Sequence, residues 1–371
     1  MVLLNTFLLQ LISALQYYMI LCLIAFTYVV WVSALTDIRT NPITGQLPLN
    51  PRVYCKYFQN FLYLQIILQK VSYVRSGFIM FGHLSITPIV VAISILFLIL
   101  GYMCIYVLAT RTESTRSTFY IYALCVQFLI VLARLLWTVT TFIGTLLILD
   151  CMNIVILALL LTVHYENAGT GFTAAMQRQV VALTTYFWTS FLVTILLLVG
   201  GFFILLGTFS LNFVTSYVVL ILLITNGTLS IHTAICGVLL ILLGLFIKLG
   251  LCIFVVWKRV FFSALTPAAL LLYTTLYYSN LFIYAVVMLI QVVTILPMNG
   301  YILFIAILLL TFVTLRSLFG DSQDITTFFV NSTLLNTTII LFSYTGLLHL
   351  IHGCTARAKN SDTPSTAVWI L

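Results

Sequence analysis

Charge is what this chain has least of. Only 6% of its 371 residues are Asp, Glu, Lys or Arg, with Lys+Arg 15 and Asp+Glu 7. Soluble domains carry about a quarter charged residues, so a water-facing globular surface is excluded. Acidic residues are scarcer still, and the formal net charge is +8. The eight cysteines include no CxxC pair and mostly interrupt apolar runs. They read as small core hydrophobes rather than metal or disulfide ligands. There is no GxxxxGK[ST] phosphate loop, no HExxH and no nucleophile triad. Nucleotide, zinc-hydrolase and acyl-transfer chemistry have no residues to act through.

What is present is apolar length. Hydrophobic residues make up 63% of the chain and mean hydropathy is +1.23. A membrane-spanning helix needs roughly 20 apolar residues, and runs of that length recur from end to end. A β-barrel would show alternating segments of about 10 residues, which this sequence does not have. The fold class is therefore all-α, a polytopic membrane protein of about eleven transmembrane helices. The expected spans fall near 5–35, 56–74, 77–109, two within 118–164 meeting around Arg134–Trp137, 180–207, 211–228, 230–250, 252–272, 272–296, 300–318 and 327–350. Residues 1–350 form one integral membrane domain, and 351–371 a polar tail. Basic residues in short loops, such as Arg111 and Arg116, flank helices in the manner of membrane proteins and give no reason to invoke nucleic acid. The lipid bilayer is the first partner.

The few charges inside apolar runs are the candidates for chemistry. A lysine or aspartate at a bilayer centre costs about 2.5–3.5 kcal/mol on insertion scales. Asp150 lies in FIGTLLILDCMNIVILALLL and must be either protonated or paired with a cation, Arg134 or a lysine. Lys248 and Lys258 lie in LLILLGLFIKLGLCIFVVWKRVFFSAL. Groups poised between charge states inside a membrane are the parts of a proton relay. Lys258 and Arg259 would instead snorkel to the interface if a helix ended near Trp257. His232, at the start of a helix in SIHTAICG, is a fourth candidate for the proton path, and it serves equally as a packing residue. Gly244 and Gly250 bracket Lys248, which suits either an interrupted helix or a close helix crossing.

Three collinear stretches carry a resemblance. They are YVVWVSAL with NPRVYCKYFQNFLYLQIIL near the start, MQRQVVALTTYFW in the middle, and VVWKRVFFSAL followed by YYSNLFIY. Together they resemble subunit 2 of proton-pumping NADH:ubiquinone oxidoreductase, respiratory complex I, in a short form lacking the first three helices. The resemblance covers about three quarters of the chain. It implies antiporter-like inverted repeats with broken helices, a partly degenerate first repeat over roughly 20–150, a second over 150–300, and C-terminal helices over 300–350. It places Lys258 on the lysine of the second broken helix, part of the proton path, with Trp257 and Phe261 in the same motif.

The chain also departs from that pattern. The family's glutamate falls at about Leu35, with Asp37 nearby, its first lysine falls near Ile99 or Leu100, and Gln127 stands where a lysine is usual. A second alignment puts IKLGLCIFVVW on the first-lysine motif, with Lys248 as that lysine and Asp150 as the acid, but it leaves too few residues for the remaining helices.

The expectation is a non-redox subunit of H+-translocating NADH:ubiquinone reductase, binding no cofactor itself. NADH, FMN, iron-sulfur clusters and ubiquinone would belong to partner subunits, and its neighbours would be other membrane subunits of complex I. The N-terminus has no basic n-region and no Arg/Ser-rich transit segment, and its apolar run continues past residue 30. That suits a protein inserted where it is made, of organelle-encoded or bacterial origin, and with the resemblance it implies an organelle-encoded protein of the mitochondrial inner membrane. The alternatives are subunit 4 of the same complex, a stand-alone cation/proton secondary transporter, and a subunit retained mainly for structure.

Overall fold

The computed structural model describes residues 2–40, 51–73, 77–79, 83–110, 116–166, 172–226, 230–250, 255–295 and 311. The spans expected at 300–318 and 327–350 lie outside the described residues, apart from Thr311. By packing, the chain divides into two units. One comprises Met1–Leu249 with Val260–Tyr284, and the other Gly250–Arg259 with Ala285–Leu371.

The described elements are helical except for one small hairpin. Helix α1 spans Val2–Thr40, α2 Pro51–Tyr73, α3 Pro88–Thr110, α4 Arg116–Thr138, α5 Phe142–Glu166, α6 Phe172–Thr208, α7 Phe213–Asn226, and α8 Ser230–Leu249. They are followed by α9 (Val255–Ala264), α10 (Pro267–Leu272), a π-helical stretch (Tyr273–Tyr278) and α11 (Ser279–Ile295). Among the described residues, seven helical segments are long and apolar enough to cross a membrane. The chain is an all-α polytopic membrane protein, as its composition requires. Inside a bilayer each backbone N–H and C=O must be paired within its own segment, and the helix does this without a partner.

Three boundaries differ from the sequence expectation, each for a local reason. The span expected at 77–109 does not begin at Gly77. Strands β1 (Gly77–Ile79) and β2 (Leu84–Ile86) pair antiparallel there, and Pro88 opens α3. Proline fits the first turn of a helix, where its missing N–H costs nothing. The break between α4 and α5 falls at Val139–Thr141, just beyond the expected Arg134–Trp137, within the β-branched run Thr138–Thr141. The boundary expected at residue 272 is absent. The chain breaks instead at Leu265–Thr266, where the Thr266 hydroxyl accepts from Ala269 N–H and Pro267 starts the next helix.

In the first unit, one end of the bundle is tied by backbone bonds between these breaks. Thr140 N–H donates to His83 O at 3.0 Å, Phe213 N–H to Thr140 O at 2.9 Å, and Phe142 N–H to Leu211 O at 2.9 Å. Leu9 of α1 packs with Ile86 and Val91 at this same end.

The α6–α8 pair is built on glycine. A Cβ on Gly237 would meet Gly200 O at 2.6 Å, and one on Gly200 would meet Gly237 O at 2.8 Å. The two backbones touch, as small residues permit in membrane helix crossings. This crossing sets the register of α8, and hence the depth of Lys248, against α6.

Candidate functional site

Lys248 lies in the last turn of α8, 5% exposed, and Gly250 follows with φ 65. Glycine is favoured at that positive φ, and the helix ends there in the left-handed conformation typical of C-terminal caps. A cation in the last turn is also favoured by the partial negative charge of the helix end, by about 0.3–1 kcal/mol. Of the two readings open for the Gly244–Gly250 pair, Gly250 terminates the helix. Gly244 lies in ordinary contact with Leu197, at 3.4 Å for an added Cβ.

The Lys248 ammonium donates to Asn153 Oδ1 on α5. The same amide donates through Nδ2 to Asp150 Oδ1, 3.4 Å away and one turn back on α5. Asp150 Oδ1 also accepts from the Thr194 hydroxyl of α6 at 2.9 Å. Two phenols complete the cluster. Tyr186 of α6 donates to Asn153 Oδ1 at 3.1 Å, Tyr277 of the π-helical stretch does so at 3.0 Å, and their hydroxyls are 3.2 Å apart. Four elements thus converge on one amide. Asp150 is joined to Lys248 through Asn153 rather than by a direct ion pair, and the Arg134 guanidinium is held by Gln16 instead. An amide can bridge them because it offers a donor to the acid and an acceptor to the lysine at once.

A wall of rings encloses the phenols. Phe261 stacks on Tyr186 with centroids 4.9 Å apart and packs on Tyr273 at 4.9 Å, and Tyr273 contacts Tyr277 at 5.2 Å. The π-helical stretch inserts one extra residue per turn, a distortion common at functional positions. In this chain it bears Tyr273, Tyr277 and Tyr278, all buried.

Sequence reasoning named Lys248 and Asp150 and missed Asn153, Thr194, Tyr186 and Tyr277. The signal for Asn153 was present: it lies three residues after Asp150, on the same helix face, in an otherwise apolar run. Nothing local marks Thr194, whereas Tyr186 and Tyr277 lie in the stretches MQRQVVALTTYFW and YYSNLFIY that carry the resemblance, unmarked among the chain's twenty tyrosines. His232 is not part of the cluster. It is exposed and sixteen residues before Lys248 on α8, about 24 Å along the axis.

Lys258 belongs to the second unit. It sits within α9, 0% exposed, so it does not snorkel from a helix end at Trp257. Its alkyl chain lies over Gly250, where an added Cβ would come within 2.9 Å of it.

A second polar cluster joins α1, α2 and α4 in the first unit. Gln127 of α4 donates to Tyr54 OH on α2 and accepts from the Thr27 hydroxyl on α1 at 3.0 Å. Two turns further along α4, the Arg134 guanidinium, 7% exposed, donates to Gln16 Oε1 and sits 4.8 Å from the Tyr17 ring centroid. Gln65 of α2 donates to the Gln16 backbone carbonyl at 3.2 Å.

No family model and no curated protein sequence matches the chain. Solved structures do. The chain is similar to a chain in the structure of respiratory complex I from Thermus thermophilus with bound aureothin, with TM-score 0.57 and 15% identity over 86% of this chain. It is also similar to a chain of the membrane-bound sulfane sulfur reductase, an archaeal respiratory membrane complex, with TM-score 0.60 and 14% identity over 87% of this chain. The chain spans 63% and 64% of the lengths of those two chains. At such identities the likeness is one of fold. The protein is a polytopic α-helical membrane protein that shares the fold of chains found in respiratory membrane complexes.

Proposed function

We propose that this chain is an antiporter-like, membrane-arm subunit of a proton-pumping NADH:ubiquinone oxidoreductase of the complex I type, occupying the position of subunit 2. The observation that carries the reading is the Asp150–Asn153–Lys248 cluster, an acid and a base held on opposite sides of one amide within membrane-spanning helices. The shared fold with chains of two respiratory complexes supports it. The three collinear motifs favour subunit 2 over subunit 4, and they favour the mitochondrial inner membrane as its place. NADH, FMN, iron-sulfur clusters and ubiquinone are assigned to other subunits.

The geometry suggests how the chain's own residues act. With Lys248 protonated, its ammonium is held by Asn153 Oδ1, and an ionised Asp150 beyond the amide balances the charge. A proton leaving the Lys248 Nζ removes that balance and draws a proton to Asp150, because an unpaired carboxylate in a membrane is costly. The Tyr186 and Tyr277 hydroxyls, both on the same amide oxygen, can reorient as Lys248 changes charge. The ring wall keeps bulk water from short-circuiting the exchange. Lys258, enclosed on α9 within the family-like VVWKRVFFSAL stretch, is the second proton-path lysine in this reading, while His232 has no part in it.

The test is Lys248→Met in membranes containing the assembled complex. NADH-driven acidification of sealed vesicles should fall while the chain remains in a particle of complex I size. Full pumping in the variant, or a small free particle in native electrophoresis of the wild type, would sink the proposal. One observation favours a second reading, retention mainly for structure: Gln127, at the expected lysine position of α4, is neutral and fully engaged by Tyr54 and Thr27.

A further inference from the structure

At the end of the first unit opposite the tied breaks, α6 and the close of α9 enclose a surface cavity of about 360 Å³. Gln177, Arg178 and Val181 of α6 line it together with Val260 and Ser263 of α9, all five within the same unit. Its volume falls in the range of small-molecule sites, about 300–1,000 Å³. The lining carries one guanidinium and no acid. Gln177, Arg178 and Ser263 are exposed, so their polar groups are open to a ligand from outside the chain.

The depth of this cavity follows from helix pairing. Helix α5 starts from Phe142 at the tied end, and its apolar span closes at Leu161. Gln179 Nε2 donates to Leu160 O, so Arg178, the adjacent residue on α6, lies level with the far end of that span. A span of this length matches a hydrocarbon thickness of about 30 Å, which puts the cavity where the lipid headgroups begin. From its floor an apolar track runs back toward the membrane centre. Val181, Trp188, Phe191 and Ile195 recur on α6 at helical spacing, all exposed. Thr184, between them, spends its hydroxyl proton inside the helix on Val180 O and Val181 O. Trp188 packs edge-on to Phe191 with centroids 6.0 Å apart, which stiffens the track. From Val181 to Ile195 it measures about 21 Å, against about 15 Å for one leaflet's share of the hydrocarbon.

A donor-lined mouth at headgroup depth above an apolar track has the shape of a phospholipid. Arginine presents a planar fork that matches two phosphate oxygens. The Gln177 amide and the Ser263 hydroxyl add neutral donors beside it. The lining offers no carboxylate to the ammonium of a zwitterionic headgroup, so its charge favours a headgroup that is net negative. The surrounding leaflet presents such a ligand all along the protein's perimeter, with no further partner required.

We infer that the Gln177–Arg178–Ser263 cavity binds the phosphate of an anionic phospholipid, with one acyl chain lying along the α6 track from Val181 to Ile195. The inference requires only that the chain spans a membrane, and it stands whether or not the chain belongs to a respiratory complex.

The experiment takes the full chain, in the particle solubilised from its own membrane, into phosphatidylcholine vesicles doped with a phosphatidylglycerol that bears a diazirine in its acyl chain. A parallel set carries the same diazirine on phosphatidylcholine. Illumination expels dinitrogen, the carbene inserts into a neighbouring C–H bond, and mass spectrometry locates the label. Label from phosphatidylglycerol should concentrate between Val181 and Ile195 and exceed that from phosphatidylcholine about fivefold, the factor expected for one basic residue at a membrane surface. Arg178→Gln, a change on an exposed side chain, should reduce it to the phosphatidylcholine level, while Arg178→Lys should keep most of it. Ser263→Ala should lower it about twofold, as for one ordinary hydrogen bond. Equal labelling by the two lipids, or undiminished phosphatidylglycerol labelling of Arg178→Gln, would overturn the inference. So would label found on another protein's peptides and absent from α6, which would mark a protein neighbour in that place. Full displacement of the label by inorganic phosphate would overturn it too, because the acyl track would then contribute nothing.

Discussion

The two buried polar clusters of the first unit are alike in construction and unlike in what they can do. Each draws side chains from three or more helices, each centres on a carboxamide, and each is shielded by aromatic rings. Around Gln127 and Arg134 the groups are either neutral or permanently charged. Around Asn153 the groups are an acid and an amine, both able to exchange a proton. A relay needs members that change charge, so depth in the membrane and hydrogen bonding do not by themselves make a proton path. Chemical identity at one or two positions decides it.

The contrast can be broken most directly at Lys248. Lys248→Met should reduce NADH-driven proton movement about 10-fold or more in sealed vesicles read with a pH-sensitive dye, the order of effect expected for loss of a positioned proton carrier. Asn153→Leu comes next. It keeps the volume but severs the acid from the lysine and removes the amide oxygen that Lys248, Tyr186 and Tyr277 share. Pumping should fall nearly as far, and the unmet donors should cost about 1–3 kcal/mol, visible as earlier thermal denaturation of the solubilised complex.

Gly237→Val tests whether the cluster depends on the α6–α8 crossing rather than on its own bonds. With Gly200 O only 2.6 Å from an added Cβ, the helices must separate. The expected cost is about 1–3 kcal/mol, with pumping reduced in the chains that still assemble. Tyr277→Phe keeps the ring packing and deletes one donor to Asn153. It should lower pumping about threefold, as for one ordinary hydrogen bond.

Gln127→Leu should have the smallest effect on transport. If the first cluster is structural, pumping stays at the wild-type level while thermal stability falls by about 1 kcal/mol. A loss of pumping comparable to that of Lys248→Met would erase the distinction between the clusters.

Much of the architecture was legible before any coordinates. Helices α1, α2, α6, α7 and α8 fall on their expected runs because a bilayer permits few alternatives to an apolar helix. The misread places were short. The paired strands Gly77–Ile79 and Leu84–Ile86 looked like the start of a span because their residues are mostly apolar, and only Pro88 marked the true start. The π-helical stretch was read as a boundary at residue 272, since its tyrosines dilute the hydropathy of what is a continuous helical rod from Pro267 to Ile295.

Sequence by itself determined that the chain lives in a membrane, that its helices number many, and that its few embedded charges deserve attention. Those conclusions depend on composition and segment length, which are local quantities. Tertiary structure alone decided that Asp150 meets Lys248 through Asn153, that Tyr186 and Tyr277 join them, and that His232 stands apart. Such pairings join residues that are scores of positions apart in the chain. They follow from helix register, fixed here by a glycine-to-glycine crossing that no count of apolar residues can reveal.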